Sequence, residues 1–145
     1  MKPTWRAPFA LLAVLAVCAA SAGCGGPKLI QVKGQVIKDG APLKSEEGDP
    51  PTSLTVIFSP VVEGGNAEDA YRATILDPQQ GTFEVPGRTG KGIPPGKYRI
   101  VIMRPYGPNR DDLLNGAFSG QNGKPFVREL LESQELTIDL GKPEE

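Results

Sequence analysis

The sequence predicts an all-β fold, a Greek-key β-sandwich of about six to seven strands with a short, partly helical insertion before the last strand. Apolar and polar residues alternate with period two after residue 28, which is typical of half-buried strands. The chain holds 18 glycines and 15 prolines among 145 residues, a composition that suits many short strands joined by tight turns. Turn residues also fall between the alternating runs, where such a fold needs them.

Six segments place apolar residues on one face of a predicted strand. The six faces are Ile30, Val32 and Val36; Leu54, Val56 and Phe58; Tyr71, Ala73 and Ile75; Phe83 and Val85; Tyr98, Ile100 and Ile102; and Leu136, Ile138 and Leu140. Strands that are apolar on one face need a second layer to cover that face. Two sheets packed face to face, or a barrel, provide this layer.

Three local patterns predict turns between these strands. Asp-Gly at 39–40 is a strong hairpin signal between two apolar runs. In the segment 77–81, Asp begins a turn, Pro fixes φ and Gly accepts a positive φ. Pro94 and Pro95 donate no hydrogen bond to a β-ladder, so they are expected outside a sheet, just before the fifth strand.

Residues 104–133 are predicted to form an insertion in a sandwich domain of residues 30–141, which residues 142–145 follow as a polar tail. Within the insertion, Asn109 is expected to cap one helical turn, and Pro125 to begin a second short helix.

Tyr106, Phe118 and Phe126 all lie in this insertion and are the candidate ligand-binding residues. On one interpretation they form an exposed platform that recognises a glycan or a peptide. On the other, they pack against the sheet beneath the insertion. A sequence alone leaves both open.

The N-terminus has the layout of a secretory signal peptide over residues 1–23. Lys2 and Arg6 are its only charged residues, an apolar run follows, and small residues precede Cys24. A retained membrane helix is the alternative, although the run is rich in alanine and ends in Gly and Pro, which oppose helix continuation. The signal peptide predicts export from the cytoplasm.

The end of this run resembles the lipobox of bacterial lipoproteins. Ala22, Gly23 and Cys24 match its last three positions, whereas Ser21 stands where Leu is usual. The resemblance implies that Cys24 becomes the first mature residue, carries lipid and binds the membrane, with residues 24–29 as the lipidated cysteine and a short tether. Gly25 after this cysteine favours the outer membrane over the inner one by the same resemblance. A buried, inert Cys24 and a Cys18–Cys24 disulfide are the alternatives.

Four motifs resemble the carboxypeptidase regulatory-like domains, which are transthyretin-like β-sandwiches with immunoglobulin-like architecture. The matching residues are Gly34 and Val36; Phe58 and Pro60; Asp77, Gly81 and Phe83; and Pro95, Gly96 and Tyr98. The resemblance covers residues 30–103 and the final strand, and together with the signal it is similar to small lipoproteins of planctomycete-type bacteria. Its motifs are turn and core residues, so it implies a fold and no site. Tyr98 is expected to bond a neighbouring backbone carbonyl, as a tyrosine corner does.

Composition narrows the range of functions. The chain has no histidine, so a Ser–His or Cys–His nucleophile cannot be built. The 122 residues after the predicted signal carry 14 basic and 17 acidic side chains without a basic stripe, which argues against nucleic acid as a partner. No cofactor is expected. Calcium at Asp111, Asp112 and Asn115, and an enzyme pairing Asp111 with Glu129 or Glu132, are minor alternatives.

These observations predict a lipid-anchored, non-enzymatic module of the bacterial cell envelope with a structural, adhesive or binding role. The expected partners are the membrane, through lipid on Cys24, and an envelope protein or a glycan. The alternative is a module that recognises glycan or peptide through residues 104–133.

Overall fold

The computed structural model describes residues 27–43, 54–62, 70–106, 109, 111–119, 123 and 125–142, without the side chain of Tyr106. These residues form eleven β-strands and no helix. The strands are β1 (Val32–Lys38), β2 (Ala41–Pro42), β3 (Thr55–Pro60), β4 (Tyr71–Arg72), β5 (Thr74–Asp77), β6 (Thr82–Val85), β7 (Gly96–Met103), β8 (Pro105–Tyr106), β9 (Asp111–Asp112), β10 (Phe126–Leu130) and β11 (Gln134–Asp139).

The larger strands lie in two sheets. The first has the order β11-β1-β6-β5, with β2 paired to β1, and the second has the order β10-β7-β3-β4. All pairs are antiparallel except β1 with β11, which run parallel from the pair Val32 and Gln134 to the pair Ile37 and Asp139. The chain changes sheet after β2, β4, β6 and β10. The predicted all-β sandwich is confirmed, and seven of its described strands are four or more residues long.

The core lies between the two sheets and is built from the predicted apolar faces. Phe58, Phe83 and Tyr98 occupy its centre. The ring centroid of Phe58 lies 6.0 Å from that of Phe83 and 6.3 Å from that of Tyr98. The other fully buried large side chains are Ile30, Val32, Val36, Val56, Ile93, Ile100, Ile102 and Leu130. The Phe58–Phe83 pair joins β3 of one sheet to β6 of the other, so it helps to fix the stacking of the two layers.

Both helices predicted in the insertion are wrong. The residues from Pro125 onward form β10, which pairs with β7 from Phe126 opposite Ile100 to Leu130 opposite Gly96. In the other segment, Asp111–Asp112 is a strand and residues 113–118 are turns. Pairing with the open edge of β7 satisfies the backbone of β10 and buries two apolar side chains, and this outweighs the local helix preference of the sequence.

The predicted strand around Ala73 is two strands in different sheets. β4 pairs with β3, and β5 pairs with β6. Ala73 lies at the crossing, where it is buried and its N–H donates to the carbonyl of Val56 at 2.9 Å. The chain therefore passes from one layer to the other at a small residue.

The predicted turns are present. Asp39 and Gly40 adopt φ values of 53° and 80°, as a two-residue hairpin between β1 and β2 requires. Oδ1 of Asp77 accepts the N–H groups of residues 79 and 80 at 2.8 and 3.2 Å, and Gly81 closes that turn with φ 67°. Pro94 and Pro95 lie outside the sheets, immediately before β7.

The sandwich has two ends that differ in character. At the tether end, Ile30 pairs with Ile93 through two backbone hydrogen bonds of 2.8 and 3.0 Å, next to residues 131–133. At the excursion end lie the β1–β2 hairpin and the described residues between 104 and 125, which we call the excursion. The described chain enters the fold at the tether end. The excursion lies at the opposite end of β7, so it is roughly 25 Å from that entry, the length of this strand.

Candidate functional site

The excursion is organised by the carboxylate of Asp112. Its Oδ1 accepts the N–H groups of Arg104 and Leu114 at 2.8 and 3.0 Å, and its Oδ2 accepts the N–H of Gly116 at 3.1 Å. The short ribbon β8–β9 pairs Pro105 with Asp112 directly above these contacts. One aspartate therefore closes the turn and ties it to the end of β7.

The turn that follows uses two consecutive left-handed residues. Asn115 has φ 53° and Gly116 has φ 70°, conformations that Asn and Gly tolerate best. The carboxylate of Asp112 accepts backbone N–H groups and in this way orders the loop. Across the described residues, no three acidic or thiol side chains gather in a way that could hold a metal ion.

The three aromatic residues of the insertion do not share one exposed surface. Phe126 belongs to the core at 5% exposed, and Phe118 is half-buried and stacks on it with centroids 5.6 Å apart and planes 16° apart. The N–H of Ile102 donates to the carbonyl of Phe118 at 3.2 Å, which holds this stack against β7. Tyr106 lies in β8. The rings of Phe118 and Phe126 therefore pack against the sheet, which is the arrangement that the alternative to an exposed platform predicts.

A cleft of about 560 Å³ lies where the excursion meets the β1–β2 hairpin. It brings together two stretches far apart in sequence, and its lining is mixed in character. The lining residues are Lys38, Asp39, Pro42, Leu43, Arg104, Leu113 and Leu114. Arg104 is 8% exposed and Leu113 is 45% exposed, so the cleft combines a buried cation with an accessible apolar side chain.

Sequence reasoning did not find this cleft. The sequence predicts one helical turn over residues 109–115, and nothing in it indicates that these residues lie beside residues 38–43. One sequence feature that points to the cleft is Arg104, which directly follows the apolar β7, because an arginine in such a position needs either solvent or interaction partners.

Tyr98 has the structural role that was predicted for it. Its hydroxyl donates to the carbonyl of Pro94 at 2.6 Å, and its ring lies 6.3 Å from that of Tyr71. Burial, with a smaller contribution from the nearby Tyr71, raises the pKa of Tyr98 to about 12. The phenol therefore stays neutral and acts as a hydrogen-bond donor that fixes the approach to β7.

The proposed carboxylate pair does not assemble. Asp111 lies in β9 at the excursion end, whereas Glu129 lies opposite Lys97 near the tether end. Glu132 follows β10 and lies farther still from Asp111. The pairing that would suit glycoside hydrolysis is therefore not formed.

Cys18 and Cys24 lie outside the described residues, together with the predicted signal peptide. Pro27 and Lys28, the first two described residues, are exposed and precede the buried Ile30. In the part of the chain that the structure covers, no helix has the length and apolar character needed to cross a membrane.

Two solved structures are similar to this chain, while no family model matches it and a search of curated proteins gives no match. A DUF3823 family protein from Bacteroides ovatus is 17% identical with a TM-score of 0.45, over 77% of this chain and 44% of that one. A DUF3823 family protein from Parabacteroides merdae is 18% identical with a TM-score of 0.48, over 79% of this chain and 46% of that one. The chain spans less than half the length of either of these proteins.

Proposed function

We propose that this chain is an exported lipoprotein whose β-sandwich is held at the bacterial envelope by lipid on Cys24 and serves there as a structural, adhesive or binding module. The observation that carries the proposal is the entry of the chain at one end of the sandwich. The tether end receives the segment that follows Cys24, and the excursion is at the other end. An anchor on Cys24 would therefore leave the excursion facing away from the bilayer.

The chemistry of the N-terminal segment supports the anchor. A charged head, an apolar run and small residues before Cys24 form the pattern that export and lipid attachment require. One acyl chain binds a membrane only marginally, whereas the two or three chains of a lipoprotein hold it durably. Gly25 after the cysteine supports placement at the outer membrane.

The finer part of the proposal is that the sandwich is a carboxypeptidase regulatory-like domain, and it rests on the residues that carry the resemblance in the sequence. Gly34 pairs with Phe83 across β1 and β6, and Tyr98 follows Pro95-Gly96 at the start of β7. These contacts use the same residues that carry the resemblance in the sequence. The likeness to small planctomycete lipoproteins is part of the same proposal.

The anchor is tested by replacing Cys24 with Ala in cells that make the full chain. Fractionation should find the wild-type chain in the membrane and released only by detergent, and the Cys24→Ala chain outside that fraction or retained with its signal uncut. Cys18→Ala is the matched control and should behave as wild type. Detergent-dependent membrane association of Cys24→Ala at unchanged yield and with a cut signal would contradict the proposal.

The cleft at the excursion end favours a second candidate, recognition of a glycan or a peptide. Lys38 offers a donor and Leu113 offers apolar surface, so an extended ligand with acceptor groups fits this lining. An array of glycans and peptides probed with the full chain tests it. Lys38→Ala and Leu113→Ala should each weaken the binding of any ligand that the array identifies. Leu76 is an exposed residue of β5 outside the cleft lining, so Leu76→Ala should leave that binding unchanged.

A further inference from the structure

The tether end carries a cluster of exposed apolar side chains. Across the described residues six large apolar side chains are exposed, and three of them are at this end: Val61 at 42%, Val62 at 59% and Leu131 at 60%. Single exposed apolar residues are ordinary on a protein surface. Three at one end of the sandwich need an explanation.

Strand pairing places Val61, Pro95 and Leu131 at one corner of the second sheet, and we call these three residues the row. Pro60 pairs with Tyr98, so Val61 lies opposite Lys97, and the N–H of Val61 donates to the carbonyl of Lys97 at 2.8 Å. On the other side of β7, Leu130 pairs with Gly96, so Leu131 lies beside the exposed Pro95.

The row crosses the ends of three neighbouring strands, β10, β7 and β3. Adjacent strands are about 4.8 Å apart, so the row is about 10 Å wide. Val61 and Leu131 are out of phase with the buried residues of their strands, as is the exposed Lys97. All three therefore face outward from the second sheet at the tether end, where Lys97 lies between Val61 and Glu129 across the strands.

The N-terminal segment that precedes the described residues joins the sandwich at this same end. Ile30 bonds to Ile93, two residues before Pro95, and Cys24 lies six residues before Ile30. Six residues reach at most about 20 Å when fully extended. A lipid on Cys24 would thus keep Ile30, which neighbours the row, within about 20 Å of the acyl chains, and random-coil scaling shortens that separation to about 13 Å.

We propose that the row of Val61, Pro95 and Leu131 is a membrane-contacting surface that seats the tether end of the sandwich in the lipid headgroup region. This inference rests on the proposed lipid anchor. Partly inserted apolar side chains are stabilised at the boundary between headgroups and acyl chains. The contact fixes the tilt of the module, so the excursion is held away from the bilayer rather than swinging on its tether.

A tryptophan reporter tests this contact. The chain holds one tryptophan, Trp5, in the predicted signal, and Trp5→Phe removes it, so Leu131→Trp becomes the only indole present. Val61→Trp is a second reporter on the same row. Leu113→Trp, exposed at the excursion end, is the matched control. The full lipidated chain is reconstituted in vesicles of phosphatidylethanolamine and phosphatidylglycerol, with or without lipid brominated on its acyl chains.

Brominated lipid should quench the row reporters at least about twofold, because that surface lies at the acyl boundary, and leave the control unquenched. Unquenched row reporters in a lipidated, membrane-bound chain overturn this inference alone. A blue-shifted emission at residue 131 that brominated lipid does not quench also overturns it, because it indicates a second protein on the row. A chain whose intact mass shows no lipid overturns the inference together with the proposed anchor. Unchanged thermal melting of each variant verifies that the fold is intact.

Discussion

A glycine in the middle of β1 lies in close contact with both neighbouring strands, β6 and β11. Gly34 pairs with Phe83 on one side and Leu136 on the other. A Cβ at this position would lie 2.7 Å from Cζ of Phe83 and closer still to the carbonyl oxygen of Leu136. The ring of Phe83 therefore covers a position that tolerates no side chain, and it packs there against Phe58.

Gly34→Ala should lower the free energy of unfolding by about 2 to 3 kcal/mol, because the added methyl group overpacks a closed site against backbone. Gly96→Ala is the matched control, since its Cβ would lie 3.9 Å from the ring of Tyr98, an ordinary contact. That substitution should change stability by less than about 0.5 kcal/mol. Chemical denaturation measures both, and equal effects would contradict the packing described for Phe83.

The hydroxyl of Tyr98 predicts a specific alkaline response. An unfolded tyrosine ionises near pH 10, whereas the pKa of Tyr98 in the fold is about 12. The unfolded state then releases its proton first, so this residue's contribution to stability is complete below pH 10 and is lost as the pH rises from about 10 to 12.

Tyr98→Phe removes both the hydrogen bond to Pro94 and this titration. We expect it to lose about 1 kcal/mol at pH 7 and to show a shallower fall in stability above pH 10 than the wild type. Denaturation midpoints measured from pH 7 to 12 test this. Parallel curves for the two chains above pH 10 would contradict the role assigned to the phenol.

At the scale of elements, β10 is the strand that sequence patterns describe least well. Only Phe126 and Leu130 are buried, and Arg128 stands between them on the same side of the strand. The following Glu and Leu residues favour a helix by intrinsic propensity. Pairing with β7 over five residues decides in favour of a strand.

Leu130 and Leu131 form a matched pair for testing this assignment. Leu130 is fully buried, so Leu130→Ala should cost about 2 to 4 kcal/mol of stability. Leu131 is exposed, so Leu131→Ala should cost less than about 0.5 kcal/mol. Thermal melting distinguishes them, and a large loss from Leu131→Ala would place the strand in the other register.

Asp112 holds the excursion as an element of its own. Replacing it with Ala leaves three backbone N–H groups without their carboxylate, and we expect local stability to fall by about 2 kcal/mol. Hydrogen exchange should accelerate at Leu114 and Gly116 while the core strands stay protected. Asp111→Ala, an exposed neighbour, is the control and should leave exchange at these amides unchanged.

Particular residues show what the sequence could predict and what it could not. The apolar faces of β1, β3, β6 and β7 follow from period two, because a half-buried strand alternates whatever its partner is. The turns at 39–40 and 77–81 follow from the conformations that Asp and Gly allow. By contrast, β10, the crossing at Ala73 and the cleft depend on which strand ends meet in space. Local sequence does not specify that, and the burial of Phe126 follows from the same pairing.

At the scale of the whole molecule, the two ends of the sandwich have different chemistry. The tether end has the entry of the chain, the bond from Tyr98 to Pro94 and the exposed row ending at Leu131. The excursion end has Asp112, the Phe118–Phe126 stack and the mixed cleft. This polarity suits the proposed anchor, which would bring the tether end to the bilayer and leave the excursion end accessible to a partner.

The intact mass of the mature protein, purified in detergent from cells that make it naturally, tests the central claim most directly. We predict a chain that begins at Cys24 and carries the added mass of a diacylglyceryl group, with or without an N-acyl chain. A chain that keeps its initiator methionine, or one that begins at Cys24 with a free thiol, would contradict the lipid-anchored account.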